Sequence, residues 1–177
     1  MLRLPLKTQN QFSVSNVIDI YVDTPIGAAQ ITGNIDGIQA VSVLDTEVAF
    51  TDLSDLFIPQ PLVDCARQLQ EYFSGQRTDF DLLLRPQGTA FQQRVWQSLT
   101  QIPHGKTTTY LNQAKELGDV KAIRAVASAN GKNPLWILVP CHRVVGSDGS
   151  LTGYAGGVWR KKWLLEHESG CKQQTLF

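Results

Sequence analysis

Thr109-Tyr-Leu-Asn-Gln-Ala-Lys-Glu-Leu-Gly-Asp119-Val-Lys-Ala-Ile-Arg-Ala-Val-Ala-Ser-Ala-Asn130 is the stretch from which the architecture is best read. Thr109 can cap a short helix, roughly Tyr110 to Leu117, because its hydroxyl can accept one of the unpaired N–H groups of a first turn. Gly118 suits the position just past that helix. Asp119 can cap a second helix, roughly Val120 to Asn130. Two short helices joined by Gly-Asp have the outline of a helix-turn-helix, and also that of an ordinary helical hairpin, the more common arrangement. The second helix is mostly small residues with Arg124 among them. Val126 and Ile123 can face a core. The small outer face would let the backbone approach another surface closely, and Arg124 could enter a DNA groove. A good helix former with an exposed Arg explains the same pattern.

Working toward the N-terminus, Ile102-Pro-His-Gly105 breaks a helix that Thr89 can cap and that carries Phe91, Val95 and Leu99 at i, i+4, i+8. Before it, Arg85-Pro-Gln-Gly-Thr89 is the boundary candidate, with Pro, Gly and a change of charge sign. Residues 1–84 hold four basic and eleven acidic residues, a balance of −7, and residues 85–177 hold twelve and five, a balance of +7, so the neutral total hides a split. A basic half suggests an anionic partner, often nucleic acid; mutual attraction of the two halves is the alternative. Upstream of the boundary the chain reads as strands. Val17 to Val22, Ala28 to Thr32 and Ile38 to Leu44 are separated by turns at Thr24-Pro-Ile-Gly27 and Gly33-Asn-Ile-Asp-Gly37, which predicts an antiparallel sheet. Leu62, Ala66, Leu69 and Phe73 recur at helical spacing before Gly75. Phe80 to Leu84 reads as one more strand. The expected fold is α/β (α+β): a small N-terminal sheet domain with a helix over 1–84, then a mostly helical C-terminal domain over 85–177 containing the helix-turn-helix.

Composition excludes several classes. A chain of 177 residues can bury roughly 70% of its unfolded surface and needs no staples. Hydrophobic residues at 42% and charged residues at 18% are ordinary for a globular protein, not a disordered or fibrous one. The apolar runs are too short to span a bilayer, and Met1-Leu-Arg-Leu-Pro-Leu-Lys7 lacks a stretch of signal-peptide length. Three cysteines, Cys65, Cys141 and Cys171, without a C-x-x-C, fit a reducing compartment and give no zinc spacing. A soluble, intracellular protein is expected, cytoplasmic or, in a eukaryote, nuclear.

Toward the C-terminus, Asn133-Pro-Leu-Trp-Ile-Leu-Val-Pro-Cys-His-Arg-Val-Val145 carries the chemistry. The apolar run Leu135 to Val139 reads as a buried strand ending at Pro140. Cys141 follows, with His142 and Arg143 beside it in sequence. A thiol is a weak nucleophile until ionised, and a nearby imidazole or cation lowers its pKa. A buried structural cysteine is the alternative. A last helix, about Val158 to Glu168, is charged against its own dipole: Arg160, Lys161 and Lys162 come early, Glu166 and Glu168 late. The basic trio could meet phosphate, and Glu168 could orient a histidine; a solvated face is the alternative.

Pro140-Cys-His-Arg-Val144 resembles the active-site signature of the O6-alkylguanine-DNA alkyltransferases, the methylated-DNA–protein-cysteine methyltransferases. The resemblance runs from about Phe91 to Glu168 and includes Ile102-Pro-x-Gly105, Tyr110, Arg124-Ala-Val126, Asn133-Pro134, Gly153-Tyr-Ala-Gly-Gly157 and Trp163-Leu-Leu-x-His-Glu168. It is weaker over the first 84 residues, mainly at Thr24-Pro-Ile-Gly27. It implies a suicide repair enzyme that binds duplex DNA in the minor groove, flips the damaged nucleotide and moves the alkyl group from guanine O6 to its own cysteine, once per molecule. Cys141 would be nucleophile and acceptor, His142 would take its proton through a water, and Glu168 would orient that imidazole. Tyr110 would donate to the departing guanine, and Asn133 would brace the turn carrying the cysteine. Arg124 would fill the gap in the base stack, with Ala125, Ser128, Lys132 and Tyr110 also at the DNA. The Val144 backbone, Tyr154 and Ala155 would frame the flipped base. No cofactor or metal is implied, and a monomer is expected. Departures lie at Ile123 and Ala127, where relatives often carry Ala and Gly, bearing on DNA affinity, and at Ala155, where some carry Ser, bearing on alkyl size. Two other readings compete: a lesion-binding module that recruits repair factors, whose relatives lack the cysteine, and a multiple-turnover thiol hydrolase. The preferred alkyl group and any action on O4-alkylthymine are left open.

Overall fold

The computed structural model describes residues 16–54 and 57–170. Met1 to Lys7 and Cys171 lie outside them. Strands β1 (Ile18–Val22), β2 (Ala28–Asn34) and β3 (Gly37–Leu44) form an antiparallel sheet in the order β1-β2-β3, with Ile20 opposite Ile31 and Ile31 opposite Val41. Helix α1 (Gln60–Phe73) packs on β2 and β3 and buries Leu62, Cys65, Ala66, Leu69 and Tyr72. Cys65 is thus packed inside its helix, where burial pushes its thiol up to about 12.

The free edge of β3 is where the two halves of the chain meet. At one point Ile38 N–H donates to Leu83 O at 2.8 Å and Arg85 N–H to Ile38 O at 2.6 Å. Three residues on, Val41 N–H donates to Pro134 O at 2.8 Å and Trp136 N–H to Val41 O at 3.0 Å. The first contact corrects the strand expected over Phe80 to Leu84: only Leu84 bridges to the sheet. The second ties the segment leading to Cys141 onto the N-terminal sheet. One hydrophobic cluster runs through both halves, from Ile20 and Ile31 to Val126 and Leu164.

Helix α2 (Ala90–Leu99) begins with the expected cap: Thr89 accepts from Gln92 N–H, and the Gln92 side chain returns to Thr89 N–H. Strand β4 (Thr108–Thr109) leads into α3 (Tyr110–Glu116), capped by Thr109. The second helix of the pair is shorter than expected. Asp119 caps a 3-10 turn, Val120–Ala122, and the α-helix proper, α4, is Ile123–Gly131. Buried amides lock the pair: Asn130 Nδ2 donates to Gln113 Oε1 at 2.7 Å, and Trp96 Nε1 of α2 donates to Ala129 O at 2.9 Å.

The run Leu135 to Val139 is buried, as expected, apart from the half-buried Trp136, but it is a tight turn and not a strand. Ile137 has φ of 72°, the one positive value outside glycine among the described residues. A β-branched side chain there is strained by about 1–3 kcal/mol, so its neighbours must hold it. A 3-10 turn, Cys141–Arg143, and strand β5 (Val144–Val145), parallel to β4, follow. Helix α5 (Val158–Ser169) closes the fold.

Candidate active site

Cys141 begins the 3-10 turn at the end of the strained segment, 7% exposed. Asn133 holds that segment together. Its Oδ1 accepts from Leu135 N–H at 3.0 Å, and its Nδ2 donates to Val139 O at 2.8 Å and Cys141 Sγ at 3.3 Å. One buried amide therefore closes the turn and touches the thiol. Burial pushes the Cys141 thiol above its ordinary pKa; the Asn133 hydrogen bond and the Lys161 ammonium pull it back. The cation acting on the thiol is thus Lys161, where the sequence pointed to His142 and Arg143.

His142 is fully buried, and its Nε2 lies 2.8 Å from Glu168 Oε1. The carboxylate only accepts, so Nε2 carries the hydrogen and Nδ1 is left as the basic nitrogen. Nδ1 has no hydrogen-bond partner within the protein. Burial pulls the imidazole below its ordinary pKa, against the opposing pull of Glu168. Glu168 is itself buried and saturated with donors. Arg143 Nε reaches its Oε2 at 2.8 Å and Arg143 Nη2 its Oε1 at 3.0 Å; Gly105 N–H reaches Oε2 at 3.1 Å, and Tyr72 Oη donates to Oε1 at 2.8 Å. Burial would raise its pKa, but the His142 and Arg143 hydrogen bonds hold its carboxyl well below the usual carboxylate range. Gly105 has φ of +70°, and a Cβ there would come within 2.9 Å of Glu168 O, so the Ile102-Pro-His-Gly105 break has to end in glycine.

A small pocket reaches Cys141, lined by Tyr110, Asn130, Gly131, Trp136, Gly153, Tyr154 and Ala155. Tyr110, Tyr154 and Ala155 line it, while Val144 is fully buried and is not among the lining residues. Trp136 was not anticipated. Its ring sits 5.4 Å from that of Tyr154 and over Gly156, where a Cβ would approach the indole to 2.5 Å. Tyr110 Oη donates to Thr152 O at 3.2 Å; burial, and then Cys141, raise its pKa.

Beyond the pocket, Arg124, Ala125 and Ser128 share the exposed face of α4, with exposed Lys132 just past its end, while Val126, Ala129 and Asn130 face inward. Ile123 and Ala127 are half-buried. The basic trio of α5 does not form an anion site. Arg160 is buried and donates to Ile26 O, Gly156 O and Asp45, and Lys161 is fully buried with Nζ on Thr152 O at 3.0 Å. Only Lys162 is exposed, and it pairs with Glu166 at 3.6 Å. The reversed charge order in α5 is thus explained by specific partners, not by a solvated face.

Residues 17–86 match the profile described as "6-O-methylguanine DNA methyltransferase, ribonuclease-like domain", and residues 90–170 match the one described as "6-O-methylguanine DNA methyltransferase, DNA binding domain". The chain belongs to the 6-O-methylguanine DNA methyltransferase family. Within that family, the methylated-DNA–protein-cysteine methyltransferase of Methanosarcina acetivorans is 41% identical over 151 residues, covering 84% of this chain and 96% of that one. That of Mycobacterium tuberculosis is 43% identical over 149 residues, covering 83% and 89%. The crystal structure of the Mycobacterium tuberculosis O6-methylguanine methyltransferase superposes with a TM-score of 0.77 at 39% identity, over 90% of this chain and 96% of that one. A structure of Mycobacterium tuberculosis OGT in complex with DNA gives 0.74 at 42% identity, over 85% and 91%. The mixed α/β fold, an antiparallel sheet followed by helices, is the family's fold, and the helix pair α3–α4 lies within the part matched by its DNA-binding domain.

Three site residues of this methyltransferase fall outside the roles the sequence assigns: Trp136 at the pocket, and Arg143 and Tyr72 at Glu168. Arg143 was read as a neighbour of the thiol but faces Glu168; Tyr72 lies 96 positions from its partner. Arg143 stands in the Pro140-Cys-His-Arg-Val144 signature, but nothing local aims either residue at the carboxylate; packing brings them there.

Proposed function

We propose that this chain repairs duplex DNA by moving the alkyl group of O6-alkylguanine irreversibly onto Cys141, once per molecule. The observation that carries this reading is the buried Cys141 thiol at a pocket's end, touched by Asn133 and followed by His142 paired with an ionised Glu168. The membership and the DNA complex of a relative support it.

In the proposed step the Cys141 proton passes to His142 Nδ1, which Glu168 leaves free to receive it, through a bridging water. Thiolate Sγ attacks the alkyl carbon; the S–C bond forms as the C–O6 bond breaks, and its electron pair returns to guanine. Tyr110 donates a hydrogen bond to the base as that charge develops. Thiolate is the softest nucleophile the protein has. Asn133 braces the turn, and Tyr154 and Ala155 frame the flipped base. Flipping costs a few kcal/mol, which Arg124 in the vacated stack and contacts from Ala125, Ser128, Lys132 and Tyr110 to the minor groove offset. Residues 1–84 and 85–177 are the two domains of this reading. The acceptor is the protein itself, so no cofactor enters, and one monomer completes the reaction. Unpaired thiols at Cys65 and Cys141 fit the reducing cytoplasm; among the described residues no helix is long and apolar enough to cross a membrane.

The test is intact mass and peptide mapping after mixing with duplex DNA carrying one O6-methylguanine. One methyl on the Cys141 peptide, saturating at one per protein, is expected. Lesion binding without modification would instead favour the sensor reading, which the presence of Cys141 in this environment disfavours.

A further inference from the structure

Nearly all of the groups that hold Glu168 come from the C-terminal half of the chain. Tyr72 does not. It sits in the last turn of α1, fully buried, and its hydroxyl donates to Glu168 Oε1 at 2.8 Å. The same oxygen receives His142 Nε2 at 2.8 Å and Arg143 Nη2 at 3.0 Å. Resting on the alkyl-transfer reading above, we infer that Tyr72 is a positioning residue of that reaction: by sharing Glu168 Oε1 with His142, it sets how tightly the carboxylate holds the imidazole proton.

Each donor aimed at a carboxylate takes up part of its negative charge. A Glu168 left with too much charge would keep His142 as imidazolium, and an imidazolium has no lone pair for the thiol proton. A Glu168 left with too little would not stabilise the imidazolium that forms as the thiol ionises. Arg143 supplies the permanent cation that keeps Glu168 ionised in this buried place. Tyr72 adds a neutral donor, which trims the carboxylate without burying a further charge.

The hydroxyl is held in place. The Tyr72 ring meets His167 edge-on at 5.1 Å and His104 at 6.2 Å, and lies 5.6 Å from Phe80. His167 Nε2 is 2.8 Å from the Tyr72 carbonyl oxygen. Among the described residues, four elements bring charged or titratable groups to His142 and Glu168. Helix α1 brings Tyr72. The Ile102–Gly105 break brings His104 against the Tyr72 ring. The 3-10 turn brings Cys141 and Arg143, and α5 brings Lys161 and His167. Arg143 and Lys161 both oppose protonation of His142, so among the described residues Glu168 is the group favouring it, and Tyr72 acts on that group directly.

The experiment compares the wild type, Tyr72→Phe, and a protein carrying 3-fluorotyrosine at position 72, which keeps the hydroxyl and makes it a stronger donor. Two readouts are taken between pH 4.5 and 8.5. One is the single-turnover rate of Cys141 methylation by a duplex with one O6-methylguanine. The other is the titration of the His142 ring by nitrogen NMR, which needs no DNA. Tyr72→Phe is expected to raise the midpoint of the acid limb, and of the ring titration, by about one unit, a tenfold gain in imidazole basicity. The fluorinated protein is expected to move both midpoints down. Midpoints unmoved in both proteins, with any rate loss following lost thermal stability, would reduce Tyr72 to packing and overturn the inference. A wild type that never becomes methylated would sink the repair reading, while the ring titrations would still decide whether Tyr72 governs His142.

Discussion

The pocket around Cys141 and the outer face of α4 belong to the same half of the chain and are built in opposite ways. The face of α4 is local. Arg124, Ala125 and Ser128 share it because they recur within one turn or so of a single helix, and they are exposed. The thiol site is non-local. Glu168 is held by buried groups from α1 and from the turn at Cys141, and by Gly105 N–H from the more exposed Ile102–Gly105 break. A surface face can be changed residue by residue with small effects on stability. A buried network fails as a unit, because each lost partner leaves another group uncompensated.

The largest effect that would sharpen this contrast is Cys141→Ala. It should abolish transfer entirely while leaving duplex affinity within about twofold, by mass spectrometry and a binding titration; residual alkylation at another residue would break it. Next, Glu168→Ala strands Arg143 and His142 in the interior. Removing one partner of a buried pair should lower unfolding stability by about 3–5 kcal/mol, read by denaturant melts, together with loss of transfer. A stability unchanged by Glu168→Ala would mean the network is not holding the fold.

Arg124→Ala should do the reverse. Stability should stay within about 0.5 kcal/mol, while the rate on O6-methylguanine in duplex DNA falls far more than the rate with free O6-benzylguanine. Equal losses on both substrates would count against insertion into the stack.

A smaller effect is in the pH dependence of folding. Burial holds the His142 pKa below its unfolded value, so the unfolded chain binds the extra proton first. Stability should therefore fall as pH drops below about 6.5, the unfolded histidine value. Glu168, depressed in the fold, adds a second loss only as pH falls through and below its unfolded value near 4.3. In His142→Gln the first decline should shrink and the second remain. The smallest effect is Lys132→Ala: uniformly weaker binding across DNA sequences and a salt slope reduced by about one.

What could be read ahead of the structure follows the same division. The caps at Thr89, Thr109 and Asp119, the antiparallel sheet and the inward face of α4 depend on neighbours a few positions away, and they appear where expected. The errors lie where packing overrides local pattern. The apolar run before Cys141 resembles a strand by composition, yet Asn133 bends it into a turn with Ile137 at positive φ. The basic trio Arg160, Lys161 and Lys162 could meet phosphate by its sequence, yet Arg160 and Lys161 are consumed by carbonyls and Asp45.

The sequence by itself determined the order of elements, the thiol beside an imidazole and the small-residue helix with its arginine, since each is a property of adjacent residues or of one helical period. Only the tertiary structure decided that Tyr72 and Arg143 converge on Glu168, that Lys161 is the cation acting on Cys141, and that Trp136 walls the pocket. Those relations join residues far apart in the chain. Their reason is desolvation: once the carboxylate and the thiol are buried, the fold must bring donors and cations to them from wherever the chain passes.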